Sequence, residues 1–222
     1  LGDVYKRQVK MDVKCKFCGL TNLNDIEAAA YAGASYVGFV FFSKSPRNLE
    51  IETAKLLVKA TPPNITKVGL IVDGDNNFID NLISAVDLDM LQLHGSENRQ
   101  RILEIKERYR LPIMKAVGIG DLQDIKKAEY YGEVVDQLLL DSKPNPGSDL
   151  PGGNGMLFDW ELLTNKTWQV PWMLAGGLTP DNVASAIKLS GANQVDVSSG
   201  IETAPGKNSS YLMAEFVKHA NI

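Results

Sequence analysis

Cys18 and Asp141 can both exchange protons, and each directly follows a hydrophobic run of the sequence. A carboxylate placed after three leucines is costly to bury unless it reaches a wet or functional surface, and partial burial favours its protonated form. A thiol at the end of a strand could present a thiolate to a functional surface. These residue types indicate a proton donor at Asp141 and a functional thiol at Cys18. A packed thiol and a helix-capping or loop carboxylate stay open as structural interpretations.

Arg47 and His94 are candidate substrate-binding residues that also follow hydrophobic runs, at residues 36–41 and 90–93. A guanidinium in such a loop could hold a carboxylate or a phosphate through two parallel hydrogen bonds, or it could be a solvated loop charge. The imidazole could bind substrate, or it could satisfy a nearby backbone group. The sequence alone leaves both alternatives open for each residue.

Glycines cluster at three places in the last third of the chain. The loop at residues 151–155 is rich enough in glycine to be a mobile lid or to present backbone amides to an anion. Two further clusters follow residues 172–175 and 194–197, where barrel enzymes commonly bind phosphate. The clusters predict a phosphate site, against the alternative that the glycines only permit tight turns. The candidate phosphate-binding residues are Gly153, Gly155, Gly176, Gly177, Ser199 and Gly200.

Short hydrophobic runs alternate with segments of helical period along the whole chain, which predicts a parallel sheet. A doubly wound sheet or a closed barrel could result. The chain length and the lack of a glycine-rich dinucleotide turn after the first run favour a single-domain (β/α)8 TIM barrel, with function at the carboxyl ends of the strands. The predicted strands are residues 13–17, 36–41, 67–72, 90–93, 113–117, 137–140, 172–175 and 194–197. The predicted helices are residues 24–32, 50–60, 76–85, 97–109, 121–131, 158–163, 179–189 and 211–220.

Composition excludes several classes of protein. The 222 residues carry a formal net charge of −4, so a general basic field for nucleic acid is absent. No apolar run reaches the roughly 18 residues of a membrane span. Two cysteines predict no disulfide framework and a reducing, cytoplasmic compartment, and His94 and His219 lie too far away in sequence to suggest a zinc site. We interpret residues 1–10 as an extension foreign to the fold and residues 11–222 as one catalytic domain.

The motifs at the ends of the runs resemble, in order, those of the phosphoribosylanthranilate isomerase family. The resemblance extends from Val13 to the C-terminus, with Phe17 and Asn154 as mild departures from the usual residues. The segments that carry it are residues 16–21, 38–41 with 45–47, 92–97, 140–142, 152–155 with 158–160, 174–178 and 196–202.

This resemblance implies an Amadori rearrangement of N-(5-phosphoribosyl)anthranilate, with Cys18 as general base and Asp141 as general acid. It further implies that Arg47 holds the anthranilate carboxylate and that Asp196 is an auxiliary polar contact in the site. No cofactor is expected, because the Schiff base formed on ring opening is itself the electron sink. A thiol that acts as a base must be partly ionised, so the surroundings of Cys18 are expected to lower its pKa.

Two rival functions remain distinguishable by residue type. The histidine-pathway aminoaldose isomerase performs the same rearrangement on a similar barrel, but it typically has Asp at the position of Cys18. A non-catalytic phosphosugar-binding barrel would keep the glycines without needing both Cys18 and Asp141. The expected partner is therefore a small phosphoribosyl substrate, with no nucleic acid and no membrane, and the expected assembly is a monomer or a homodimer.

Overall fold

Eight parallel strands close into a barrel in chain order, as the sequence predicts. The structure is a computed structural model, and it describes residues 12–143, 152, 155 and 157–222. Closure is made by β1 and β8, where Lys16 pairs in register with Asp196. The strands are β1 (Lys14–Cys18), β2 (Tyr36–Phe41), β3 (Thr66–Ile71), β4 (Met90–Leu93), β5 (Ile113–Ile119), β6 (Gln137–Ser142), β7 (Trp172–Leu174) and β8 (Gln194–Val197).

Successive residues of β1 point alternately to the helices and to the barrel interior, because side chains alternate along a strand. Cys15 and Phe17 belong to the main hydrophobic cluster, and Phe17 meets Phe216 of the last helix at a ring separation of 6.2 Å. Lys16 and Cys18 take the opposite face and are therefore directed into the barrel. Within these five residues, Cys15 is therefore a packed structural thiol, whereas Cys18 is available to the site.

Seven α-helices cover the outside of the described barrel. The first begins at Leu23 rather than near Asn24, because Asn22 caps it by accepting the backbone N–H of Asp25 at 3.0 Å. The described helices include none long and apolar enough to cross a membrane. The helices are α1 (Leu23–Ala32), α2 (Ile51–Ala60), α3 (Asn76–Ala85), α4 (Arg99–Tyr109), α5 (Leu122–Gly132), α6 (Val183–Ser190) and α7 (Ser210–Ala220).

Two other expectations are corrected by the structure, and one element was not expected. The helix expected over residues 158–163 is only a 3-10 turn, Trp160–Leu163, which ends at the extended backbone of Thr164. The helix expected from residue 179 begins at Val183, because the side chain of Asn182 ties down the preceding turn by accepting the N–H of Thr179. A small antiparallel hairpin, β9 (Glu202–Ala204) and β10 (Lys207–Asn208), was not anticipated.

Candidate active site

One cavity at the carboxyl end of the barrel gathers the five side chains that the sequence singled out for acid–base work and substrate binding. They come from strands or loops far apart in sequence, and only closure of the barrel brings them together. Their roles remain predictions, but their common location is a structural fact. The five are Cys18, Arg47, His94, Asp141 and Asp196.

Cys18 lies beside a buried ion pair. Nζ of Lys16 donates to Oδ1 of Asp196 at 2.8 Å, and the side chain of Lys16 is fully buried. Gly38 is the register partner of Cys18, and a Cβ on it would stand 2.9 Å from the Cys18 Sγ and 3.2 Å from the Lys16 Nζ. The thiol and the ammonium group therefore flank the same small gap, which only glycine leaves open.

The ionisation of Cys18 differs from the sequence-based expectation. Burial raises the pKa of the thiol, and the nearby positive charge of Lys16 lowers it without fully compensating for the lost solvation. The expected lowering of the Cys18 pKa is therefore wrong for the free protein, because the effect of burial exceeds the effect of the Lys16 charge. Burial also raises the pKa of Asp196, against the opposing effect of Lys16.

Asp141 lies within β6 rather than after it. The side chain of His94, from the loop after β4, reaches the Asp141 carboxyl group. The His94 Nε2 and Asp141 Oδ2 atoms are 3.4 Å apart, while Nδ1 of His94 lies 2.8 Å from Nε2 of Gln92. If the Gln92 amide donates, His94 presents an N–H to the carboxylate. Oδ1 of Asp141 accepts the backbone N–H of Ser142 at 2.7 Å. The carboxyl group is thus fixed at one oxygen and faces the cavity with the other.

The loop that carries His94 is clamped by a second buried ion pair. Nζ of Lys115 on β5 donates to the carbonyl of Gly95 at 2.7 Å and to Oε2 of Glu97 at 2.8 Å. Glu97 in turn accepts the backbone N–H groups of Asp73 and Gly95. This use of Glu97 explains why α4 starts later than residue 97, after an Asn98 cap. The clamp fixes the backbone from which the imidazole extends.

Arg47 borders the cavity but already has a carboxylate partner. Its Nε and Nη2 atoms donate to the two oxygens of Glu202 at 2.6 and 2.8 Å. This bidentate contact takes the edge of the guanidinium that was expected to be available for substrate. A ligand carboxylate would have to meet the remaining Nη1 side. The unanticipated hairpin, which begins at Glu202, is therefore what orients Arg47.

The predicted phosphate-binding residues divide into three groups. Gly176, Gly177 and Ser199 line the cavity, and both glycines have positive φ angles, 89° and 62°, which favour glycine. Gly200 packs against the backbone carbonyl of Leu178 and does not line the cavity. Gly155 also lies outside the lining, although a Cβ on it would be 3.8 Å from Oγ of Ser199. Gly153 falls outside the described residues.

Backbone donors are available at this rim. Within the described part of the chain, the N–H groups of Gly177, Ser199 and Gly200 donate to no protein acceptor. Uncompensated N–H groups beside a cavity suit an anion such as phosphate. Gly152 also lines the cavity, and a Cβ on it would stand 2.5 Å from Nε2 of His94. An anion at the rim would therefore hold one end of a ligand whose other parts reach Cys18 and Asp141.

The sequence contained a signal for the site residues that were missed. Lys115 lies in an otherwise apolar strand and Lys16 lies between Cys15 and Phe17, which is an expensive placement for a lysine unless it is paired. Gln92 on β4 gives the same signal. Glu202 has no such signal, because it does not lie within an apolar strand. The described residues contain no group of three or more His, Cys, Asp or Glu side chains arranged to hold a metal ion.

Comparison with known proteins identifies the family. The profile of N-(5'-phosphoribosyl)anthranilate (PRA) isomerase matches residues 15–219. An N-(5'-phosphoribosyl)anthranilate isomerase of Cereibacter sphaeroides is 50% identical over 208 residues, which cover 94% of this chain and 98% of that protein. The crystal structure of phosphoribosyl anthranilate isomerase from Thermotoga maritima has a TM-score of 0.84 at 37% identity and covers 94% of this chain and 98% of its own.

A further crystal structure, of a phosphoribosyl anthranilate isomerase in complex with reduced 1-(o-carboxyphenylamino)-1-deoxyribulose 5-phosphate, has a TM-score of 0.80 at 35% identity. The match covers 94% of this chain and 98% of that one. With a closed barrel, a cavity between Cys18 and Asp141, and these matches over almost its whole length, the chain belongs to the phosphoribosylanthranilate isomerase family.

Proposed function

We propose that the protein converts N-(5-phosphoribosyl)anthranilate to 1-(2-carboxyphenylamino)-1-deoxyribulose 5-phosphate, an intramolecular oxidation–reduction in tryptophan biosynthesis. The observation that carries the proposal is that Cys18 on β1 and Asp141 on β6 line one cavity beside a glycine rim. Two proton transfers at neighbouring atoms of a phosphosugar need an acid and a base that face one cavity, with an anion site beside them. The related enzyme with the reduced product analogue supports the same ligand class.

Asp141 acts first, as the general acid. A protonated carboxyl group gives its proton to the furanose ring oxygen, the bond from that oxygen to the first sugar carbon breaks, and a Schiff base to the anilino nitrogen forms. His94, 3.4 Å away at Nε2, stabilises the carboxylate that remains. The backbone N–H of Ser142 holds the other oxygen of the carboxyl group, so the group keeps its direction during the transfer.

Cys18 acts second, as the general base. Its thiolate removes the proton from the second sugar carbon, and the electron pair of that bond moves toward the positively charged nitrogen of the Schiff base. In the enolamine formed in this way, the hydroxyl group on the second carbon loses its proton and the first carbon gains one, which gives the ketone of the product. The second carbon is thus oxidised and the first is reduced. The substrate nitrogen serves as the electron sink, and no external electron acceptor is needed for balance.

The two anionic ends of the substrate fit two different parts of the cavity. The N–H groups of Gly177, Ser199 and Gly200 suit the phosphate, because none of them donates to an acceptor within the described residues and because Gly177 and Ser199 line the cavity. The Nη1 side of Arg47 suits the carboxylate of the anthranilate ring, and Glu202 holds the guanidinium at a fixed angle. Fixing both ends keeps the sugar carbons between the acid and the base.

The proposal also covers the cellular compartment and the oligomeric state of the protein. Both cysteines are free thiols, and a base at Cys18 must stay reduced, which favours a cytoplasmic compartment. We infer a small phosphoribosyl substrate as the partner and a monomer or a homodimer as the assembly. Sedimentation equilibrium of the purified protein separates those two assemblies, and any larger particle would contradict the inference.

The test of the proposed function is the loss of phosphoribosylanthranilate fluorescence in the presence of the purified protein. Substrate generated and purified beforehand avoids interference from coupling enzymes. We expect turnover above the spontaneous loss of substrate, with the deoxyribulose phosphate as the product by mass and chromatography. Absence of turnover by a folded protein, with a known family enzyme active in the same assay, would refute the proposal.

A further inference from the structure

One cluster on the two strands that close the barrel consists of Lys16, Cys18 and Asp196, of which Cys18 and Asp196 line the cavity. Lys16 and Asp196 are register partners, and their ion pair has an N–O distance of 2.8 Å. Gly38 places Sγ of Cys18 and Nζ of Lys16 around the same gap. The ammonium group therefore lies next to two groups that can each carry a negative charge.

Within the described residues, Lys16 forms an ion pair with Asp196 and with no other carboxylate. Arg47 also acts on the Cys18 thiol, but its charge is compensated by the bidentate contact with Glu202. On the other side, Asp141 and His94 act on Asp196 with opposite effects, since a carboxylate disfavours its ionisation and an imidazolium favours it.

One buried cation can stabilise one buried anion well, whereas a second uncompensated anion is costly. When Asp196 is the anion, the Cys18 group is a neutral thiol. When Cys18 is the anion, Asp196 must bind a proton or the cluster gains a net negative charge. The two ionised forms exclude one another through their shared partner.

We propose that Lys16 is the positioning residue that lets Cys18 serve as a base, and that Asp196 competes with the Cys18 thiolate for its ammonium group. To form the base, the S–H bond of Cys18 breaks and its proton goes to the carboxylate of Asp196. Lys16 remains an ammonium ion throughout. The catalytic consequence rests on the proposed function, whereas the competition itself is a property of the free protein.

Changing the two partners should shift the ionisation of Cys18 in opposite directions. Lys16→Met removes the cation, so we expect the pKa of Cys18 to rise by about 1–3 units. Asp196→Asn removes the competing anion at nearly constant shape and leaves Lys16 free for the thiolate, so we expect the pKa of Cys18 to fall by a similar amount. A purely structural role for either residue would not produce shifts of opposite sign.

The experiment measures the rate at which iodoacetamide alkylates Cys18 as a function of pH, read by the intact mass of the protein. A Cys15→Ala background leaves Cys18 as the only cysteine of the chain. Lys115→Met is the matched control, because it also removes a buried lysine from an ion pair on a barrel strand but leaves the Cys18 cluster intact. Circular dichroism verifies that each variant is folded.

Opposite shifts with an unshifted control support the proposal, and shifts of the same sign, or none, overturn it. A shift in Lys115→Met equal to that in Lys16→Met also overturns it. If Lys16→Met does not fold because Asp196 is left unpaired, the double variant Lys16→Met/Asp196→Asn removes both charges, and Asp196→Asn alone decides the sign. The assay uses no substrate, so a missing isomerase activity would leave its result intact, and normal activity without shifts would contradict only this proposal.

Discussion

Breaking the ion pair between Lys115 and Glu97 by removing one partner should cost far more stability than breaking a pair of the same length at the surface. The N–O distance of the buried pair is 2.8 Å and both of its side chains are only 2% exposed. The pair between Lys106 and Asp136 also measures 2.8 Å, but both side chains are 38% exposed. Removing one partner of a buried pair typically costs about 3–5 kcal/mol, because the other charge is left without compensation. An exposed pair contributes only about 0.2–1 kcal/mol.

We therefore expect Lys115→Met to lower the free energy of unfolding by about 3–5 kcal/mol and Lys106→Met by less than about 1 kcal/mol. For a chain of this size the first change corresponds to a fall in the midpoint of thermal unfolding of roughly 6–20 °C. Urea unfolding followed by circular dichroism and tryptophan fluorescence measures both variants. Equal losses in the two variants, or a loss below about 1 kcal/mol in Lys115→Met, would refute the reasoning from burial.

Three other changes test separate parts of the account. Burial raises the pKa of the Cys15 thiol from 9.0 to about 12, so above pH 9 the thiol ionises in the unfolded chain but stays protonated in the folded protein. The contribution of Cys15 to the free energy of unfolding therefore declines as the pH rises above 9. The stability advantage of the unmodified protein over Cys15→Ala should thus shrink by about 2 kcal/mol between pH 7 and 10.5 in urea unfolding, and a constant difference would count against it. Gly177→Val should raise the KM for the phosphorylated substrate strongly, whereas Gly191→Val, at a similar positive φ of 75° but outside the cavity lining, should affect stability only. Glu202→Gln should release Arg47 and raise KM more than it lowers kcat, and an unchanged KM would exclude the orienting role.

The sequence predicted the main elements of this barrel and the principal residues of its site from one rule. In a parallel barrel the residues that follow each strand meet at one end, so Cys18, Arg47, His94 and Asp141 could be grouped without coordinates. The same rule directed attention to the glycines after the last two strands. The exception is Gly200, which packs against the backbone carbonyl of Leu178 and does not line the cavity.

The sequence could not supply residue pairings that depend on strand register, nor the direction of a pKa shift that depends on the sum of opposing effects. Lys16 meets Asp196 because β1 and β8 close the barrel in one register, 180 residues apart. Glu202 meets Arg47 only because a short hairpin follows β8. The pKa of Cys18 could not be assigned a direction in advance, because burial and the Lys16 charge oppose each other and burial prevails.

If Cys18 and Asp141 are the base and the acid of the isomerisation, removing either group must lower the turnover number. Cys18→Ala and Asp141→Asn should each lower kcat by about 10²–10⁴-fold or more while the fold and the binding of a phosphorylated product analogue persist. Cys15→Ala, which changes a buried thiol three residues away on the helix-facing side, should reduce stability and spare kcat. Near-normal kcat in a folded Cys18→Ala or Asp141→Asn protein would contradict the account.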